Sequence, residues 1–388
     1  MSIASAITAA QGKVADCYTA ISGKGGTLPV TQNLSNMPTA ISSIPSGGVG
    51  ITREVSAQGV YQMPASNFTF SLQSNATDVG NKALSYAFYG STYLTGIDLS
   101  SITRITGSNA LNNAFSDCTG ITYVDLSNIT TISGNNALYN AFYGCSNLTT
   151  VNLSGLTTVT GDSALYNTFS NCGNISNIDL SSLTTVSGYD AFYYAFSGNK
   201  ATSIDLSSLT TVSGERAMIY AFQNSDYIQS VDLSSLTLAT GTNCFNLTFY
   251  GCDNIVSVDL SNLEQIGSDN SSMNSGQFAQ CFYQTQVTSL NFPKLEKIYC
   301  TGYGSATYGS FSGNSSVQKM YFPKLNTISY GSGASSMYQN ACKYIFANCS
   351  SLTELHFGSA NQSAIQATAG YSTAWGRGAG NVTIYFDL

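Results

Sequence analysis

"CTGITYVDLSNITTISGNNALYNAF" (residues 118–142) is answered two residues later by "CSNLTTVNLSGLTTVTGDSALYNTF" (residues 145–169). The two stretches match nearly position for position, which makes the internal period the first thing to measure. The central residue of the "VDL/VNL" triplet falls at Asp98, Asp125, Asn152, Asp179, Asp205, Asp232 and Asp259, at steps of 27, 27, 27, 26, 27 and 27 residues. One step back lies Ser71. Further on, Asn291, Tyr321, His356 and Tyr385 continue at wider steps of 32, 30, 35 and 29. The chain therefore carries about twelve copies from residue 66 to its end.

Each copy reads as two pieces. In "LTTVNLSGL" (148–156) Val151 and Leu153 alternate with Thr150, Asn152 and Ser154, the period of a strand. In "SALYNTFSNC" (163–172) the spacing of Ala164, Leu165, Thr168 and Phe169 predicts one or two helical turns with one buried face. Gly107, Gly134, Gly161, Gly188, Gly214 and Gly241 sit between the pieces, where a sharp turn is expected. A single copy cannot bury its apolar side, whereas stacked copies can. The expected fold is an α/β repeat solenoid with a parallel sheet along one face. At about 4.8 Å per strand, twelve coils make a rod about 55 Å long.

Composition agrees with a packed rod. Of 388 residues 43% are hydrophobic and 12% aromatic, enough to fill a core. Only 9% are charged and the net charge is -7, which argues against a nucleic-acid partner. No apolar run is long enough to cross a bilayer, so no membrane insertion is expected. The N-terminus lacks a basic segment ahead of an apolar one, so no export leader is expected there.

The repeat resembles the BspA type of leucine-rich repeat. The resemblance rests on a small residue and Phe followed by Cys: Ala114-Phe115-Cys118, Ala141-Phe142-Cys145, Thr168-Phe169-Cys172, Thr248-Phe249-Cys252 and Ile345-Phe346-Cys349. Ser91, Asn199, Ser225, Thr285 and Asn314 replace the Cys elsewhere, and the strand ends in Pro only at Pro293 and Pro323. The resemblance covers about five-sixths of the chain and implies a leucine-rich-repeat solenoid over residues 66–388.

Residues 1–45 form a different unit. Ile3, Ala6, Ile7, Ala10, Val14, Tyr18 and Ile21 predict an amphipathic helix over 3–21, and Leu34, Met37, Ile41 and Ile44 a shorter second one. Such a helical hairpin needs a partner to be stable. Its pattern resembles a short N-terminal module of bacteriophage tail and other virion proteins, which implies attachment to other virion proteins and oligomerisation, with a homotrimer usual for fibres. Residues 46–65 read as a linker and a capping strand.

Catalytic chemistry has little material. His356 is the only histidine and is expected to be an exposed strand residue, with no nucleophile motif around it. No Cys-x-x-Cys spacing appears, and the stacked cysteines are expected to be buried reduced thiols. The outward column Asp98, Asp125, Asp179, Asp205, Asp232 and Asp259 would be offset by Ser and Thr hydroxyls or, on a sharper reading, by Ca²⁺. Tyrosine is the remaining signal. It recurs in the enlarged late copies at Tyr299, Tyr303, Tyr308, Tyr330, Tyr338 and Tyr371, with Trp375, and these are the expected binding residues. Together the resemblances imply a non-enzymatic virion fibre that binds a bacterial surface glycan or protein. The alternative is an adhesin on a bacterial cell surface.

Overall fold

The computed structural model describes residues 68–71, 77–269, 276–300, 309–329, 341–368, 371–376 and 382–388. The helical hairpin over 1–45 and the segment 46–65 lie outside them. Within them the chain is a succession of short pieces that repeats about ten times, close to the twelve copies read from the sequence.

The first face is built from the expected strands. They run from Phe68–Ser71 and Leu94–Asp98, through Tyr123–Asp125, Thr150–Asn152 and Asn177–Asp179, to Glu354–Phe357 and Thr383–Tyr385, always parallel. Marker pairs with marker: Ser71 with Asp98, Asp125 with Asn152, Asp205 with Asp232, Tyr321 with His356. Hydrogen bonding divides this face into sheets of 2, 3, 3 and 4 strands. The central residue of most of the short strands, such as Val124 or Val151, is buried between two outward neighbours, while Val258 and Ile384 are partly buried.

A second face was not foreseen. The short pair after each loop, most often "TI" or "TV", forms its own two- or three-residue strand, and nine of them, from Arg104–Ile105 to Thr327–Ser329, make one continuous parallel sheet. The pieces are too short for alternation to show in sequence.

The third side corrects the helical expectation. Between Asn109 and Cys118 the chain makes consecutive turns instead of a helix. Ala114 donates back to the Leu111 carbonyl (2.9 Å), but Leu111, Asn113, Phe115 and Asp117 donate to Ala137, Tyr139, Ala141 and Tyr143 of the next coil (2.7–2.8 Å). Alternate amides thus leave the segment, which a helix would not allow. Asn109, Asn113 and Asp117 make this feasible by adopting positive φ (51–58°), as do Asn136, Asn140 and Gly144 one coil later. Asn and Asp tolerate that conformation better than other side chains.

Two columns lock the coils together. Phe88, Phe115, Phe142, Phe169, Phe196, Phe222, Phe249 and Phe282 stack face to face at 5.1–6.1 Å, forming an aromatic spine through the core. The glycine column has a different cause from the expected sharp turn, since none of its members has positive φ. A Cβ on Gly161 would lie 2.3 Å from the Gly134 carbonyl oxygen, and one on Gly241 would lie 2.1 Å from that of Gly214. Glycine is required because adjacent coils approach backbone to backbone.

Candidate recognition surfaces

The acidic column closes strands. Asp125, Asp179, Asp205, Asp232 and Asp259 each accept the amide of the serine two residues on, at 2.8–3.1 Å, and Asp98 does the same for Ser100. Hydroxyls of Ser100 and Ser181 add bonds of 2.6 and 2.7 Å. Asn152 makes the same turn with Ser154 without a charge. The carboxylates are thus held by local turn geometry. Among the described residues no three His, Cys, Asp or Glu side chains converge as a metal site.

The cysteine column is also structural, with a role beyond filling space. The thiols of Cys118, Cys145, Cys172 and Cys252 donate to the carbonyls of Phe88, Phe115, Phe142 and Phe222 in the preceding coil (3.0–3.2 Å). Where Cys is replaced, Asn199 and Asn314 supply N–H donors to Phe carbonyls instead. The position therefore needs a small buried donor. Burial pushes the thiols of Cys118, Cys244 and Cys252 up to about 12, so they are neutral and unreactive at ordinary pH. Cys300, outside the column, is disulfide-bonded.

Of the expected binding residues, Tyr303, Tyr308, Tyr330 and Tyr338 lie outside the described residues. Tyr299 is half-buried on the second sheet, at the end of Lys297–Tyr299. Trp375 is a correction: it is fully buried, packed against Phe346, Phe357 and Tyr371 with ring centroids 5.7–5.8 Å apart. With Tyr371 partly buried beside it, Trp375 plugs the last coil and has no face to offer a ligand.

His356 is a second correction. It points outward, yet its ring lies between those of Tyr321 and Tyr385, 4.6 Å from each, and its side chain is only 12% exposed. Its Nε2 meets Glu354 at 3.1 Å and its Nδ1 meets Asp387 at 3.0 Å. Lys319 completes the row with a 3.0 Å ion pair to Glu354. The parallel register places Lys319 beside Glu354 and stacks Tyr321, His356 and Tyr385 one above another. The histidine was legible in sequence; the two rings that flank it come from strands 35 and 29 residues away.

A third surface was missed. On the turn side Tyr139, Tyr166 and Tyr193 stack at 4.8 and 4.5 Å, and Tyr194 stacks on Tyr220 at 4.5 Å. Tyr193 meets Tyr194 edge-on and joins the two columns. Arg216 lies over the rings of Tyr189 and Tyr193, donates to the Tyr189 hydroxyl at 2.9 Å and approaches Asp190 at 3.0 Å. Burial, reinforced by neighbouring phenols, pushes Tyr166 and Tyr194 up to about 12. The 27-residue spacing of the first three tyrosines was the available signal.

Comparison with known proteins matches the repeat to the BspA type Leucine rich repeat region, in 6 copies over residues 61–195, 139–246 and 167–301. These overlapping matches run from 61 to 301, more than half of the 388 residues. No curated protein matches. Similar solved structures include a leucine-rich repeat protein from Bacteroides ovatus, 17% identical, with a TM-score of 0.42 and covering 80% of this chain. This chain spans 64% of that protein's length. A leucine rich cell surface protein from Faecalibacterium prausnitzii is 18% identical, with a TM-score of 0.26 and coverage of 76% and 87% of the two chains. An internalin from Listeria monocytogenes is 13% identical, with a TM-score of 0.24 and coverage of 81% and 72%.

Proposed function

The chain belongs to the BspA-type leucine-rich repeat family, and from that premise we propose that it is a non-enzymatic recognition rod displayed at a bacterial cell surface, where it binds a glycan or protein of a neighbouring surface. The observation that carries the reading is where the reactive groups go. The column thiols are buried and hydrogen-bonded, the single imidazole is engaged by two carboxylates, and the carboxylate column closes its own turns. What the molecule offers outward is a regular surface of hydroxyls, amides and tyrosines, suited to binding.

A second reading is favoured by residues 1–45, whose two apolar-faced helical patterns resemble a virion module. There the rod would be a fibre on a bacteriophage particle, docked to other virion proteins through 1–45, bundled as a homotrimer, and would use the same outward surface on the host. Immunogold labelling of the native protein separates the two. Gold along the envelope of the producing cell is expected, and gold on released particles would select the virion reading. Purified full chain should also adsorb to bacterial cells. A protein found only in the cytoplasm, with no adsorption, would overturn both.

A further inference from the structure

We propose that the tyrosine strip on the turn side (Tyr139, Tyr166, Tyr193, Tyr194 and Tyr220, with Arg216) is the binding site for an uncharged, extended glycan lying along the rod. This rests on the recognition reading above and adds to it a place and a ligand class.

The strip breaks the repeat where repetition would be easier. At the register of Tyr139, Tyr166 and Tyr193 other coils carry Ser85, Asn112 and Asn246. Tyr194 and Tyr220 hold φ of 52° and 58° at a register with positive φ along the rod, filled by Asn113, Asn140 and Asn167 before them and by Leu247 and Gln280 after them. The core does not require these rings, since all five are partly exposed.

The geometry selects the ligand. The ring faces are consumed by stacking at 4.5–4.8 Å, so the strip presents edges and phenol hydroxyls at a constant repeat along the rod axis. Each phenol oxygen both donates and accepts, as sugar hydroxyls do. A stacked column is already rigid, so a partner bound to it orders few side chains. Spanning four coils at about 4.8 Å per step, the strip is roughly 15 Å long and one ring wide, except at Tyr193 and Tyr194 where the two columns meet. That suits a polymer chain better than a globular protein, whose stable interfaces take about 800 Å² from each side. The cation of the strip is matched by Asp190, with Glu215 next in sequence, so nothing there favours a phosphate or carboxylate polymer.

The test uses the full chain and a panel of linear neutral glucans, mannans, galactans and rhamnans, each as monosaccharide and as oligosaccharides of increasing length, with polyphosphate as an anionic control. Affinity for at least one neutral series should rise with length and level off once about four coils are spanned. Tyr166→Phe with Tyr193→Phe keeps the stacks and removes both hydroxyls, and should weaken binding about tenfold, the loss of two hydrogen bonds at a partly exposed site. Tyr93→Phe and Tyr227→Phe, exposed elsewhere on the rod, should leave it unchanged. Binding that ignores the strip variants, a preference for polyphosphate, or no binding across the panel would each overturn the proposal. Adsorption to bacterial cells is measured in parallel. Cells bound without any glycan bound would remove the strip and leave the recognition reading intact, whereas loss of both would remove that reading too.

Discussion

Gly161 and Gly198 show how differently two glycines can be required in one repeat. Gly161 has ordinary φ, but a methyl there would sit 2.3 Å from the Gly134 carbonyl oxygen, against backbone of the preceding coil that cannot yield. Gly198 has φ of +73° and open space around its missing Cβ. Gly161→Ala should therefore destabilise the rod by about 1–3 kcal/mol or more through overpacking. Gly198→Asn should cost much less, because Asn171 and Asn224 already occupy the same register at φ of 60° and 55°. Urea unfolding of the two variants checks the order, and equal losses would contradict it. The cysteines follow the same logic of position before identity. Cys118→Ser keeps the second donor for the Phe88 carbonyl, whereas Cys118→Val fits the space and leaves that carbonyl to the Ser91 amide. The valine variant should lose roughly 0.5–1.5 kcal/mol more than the serine variant, the net worth of one hydrogen bond. A valine equal to or better than serine would mean the position is merely apolar.

At the scale of single elements, the last strands depend on charge more than the middle ones do. Hydrogen bonding from His356, then Lys319, holds Glu354 below its ordinary value of 4.5, while Glu354 raises Lys319 above 10.5. The signs are opposite. The lowered carboxyl contributes stability above 4.5 that is lost as pH falls through its folded value. The raised ammonium contributes below 10.5 and is lost as pH rises through its folded value. The difference in thermal midpoint between the parent chain and Glu354→Gln should therefore be constant between these limits and shrink on acidification. A difference that persists unchanged at pH 2 would show that the row is held by packing, with Tyr321 and Tyr385 doing the holding. The turn segments illustrate what limits sequence reading at this scale. Ala164, Leu165, Thr168 and Phe169 are buried as the helical spacing requires, yet the backbone is not helical. Side-chain spacing reports which residues face inward; it does not report where alternate amides find their acceptors.

For the whole molecule, stability is carried by neighbour contacts along one dimension. The core is a single cluster from Phe70 to Val382, continuous through the phenylalanine spine. A truncated chain lacking residues 1–45 should accordingly fold and melt within a few degrees of the full chain, as followed by circular dichroism. Failure of the truncated rod to fold would show that the N-terminal segment caps the first coil. Phe169→Ala acts in the middle of the spine, between Phe142 and Phe196, and should cost about 3–5 kcal/mol. Because each coil touches only its neighbours, that loss should split unfolding into two transitions in place of one lowered midpoint.

The amino-acid sequence by itself determined the period, the parallel register and the inward set, because a 27-residue repeat allows each coil only one way to lay its apolar residues over the last. It also determined that the cysteine column is scaffold, since thiols in strict register with buried phenylalanines have no exposed side. The tertiary structure decided what lies between coils. It made the glycine column a matter of backbone contact, placed a second sheet where two-residue strands leave no periodicity, and buried Trp375 in the final cap. It also set His356 between Tyr321 and Tyr385, and gathered Tyr139, Tyr166, Tyr193, Tyr194 and Tyr220 into one strip. These features depend on distances between residues of different coils, and a pattern read along one coil holds no information about them.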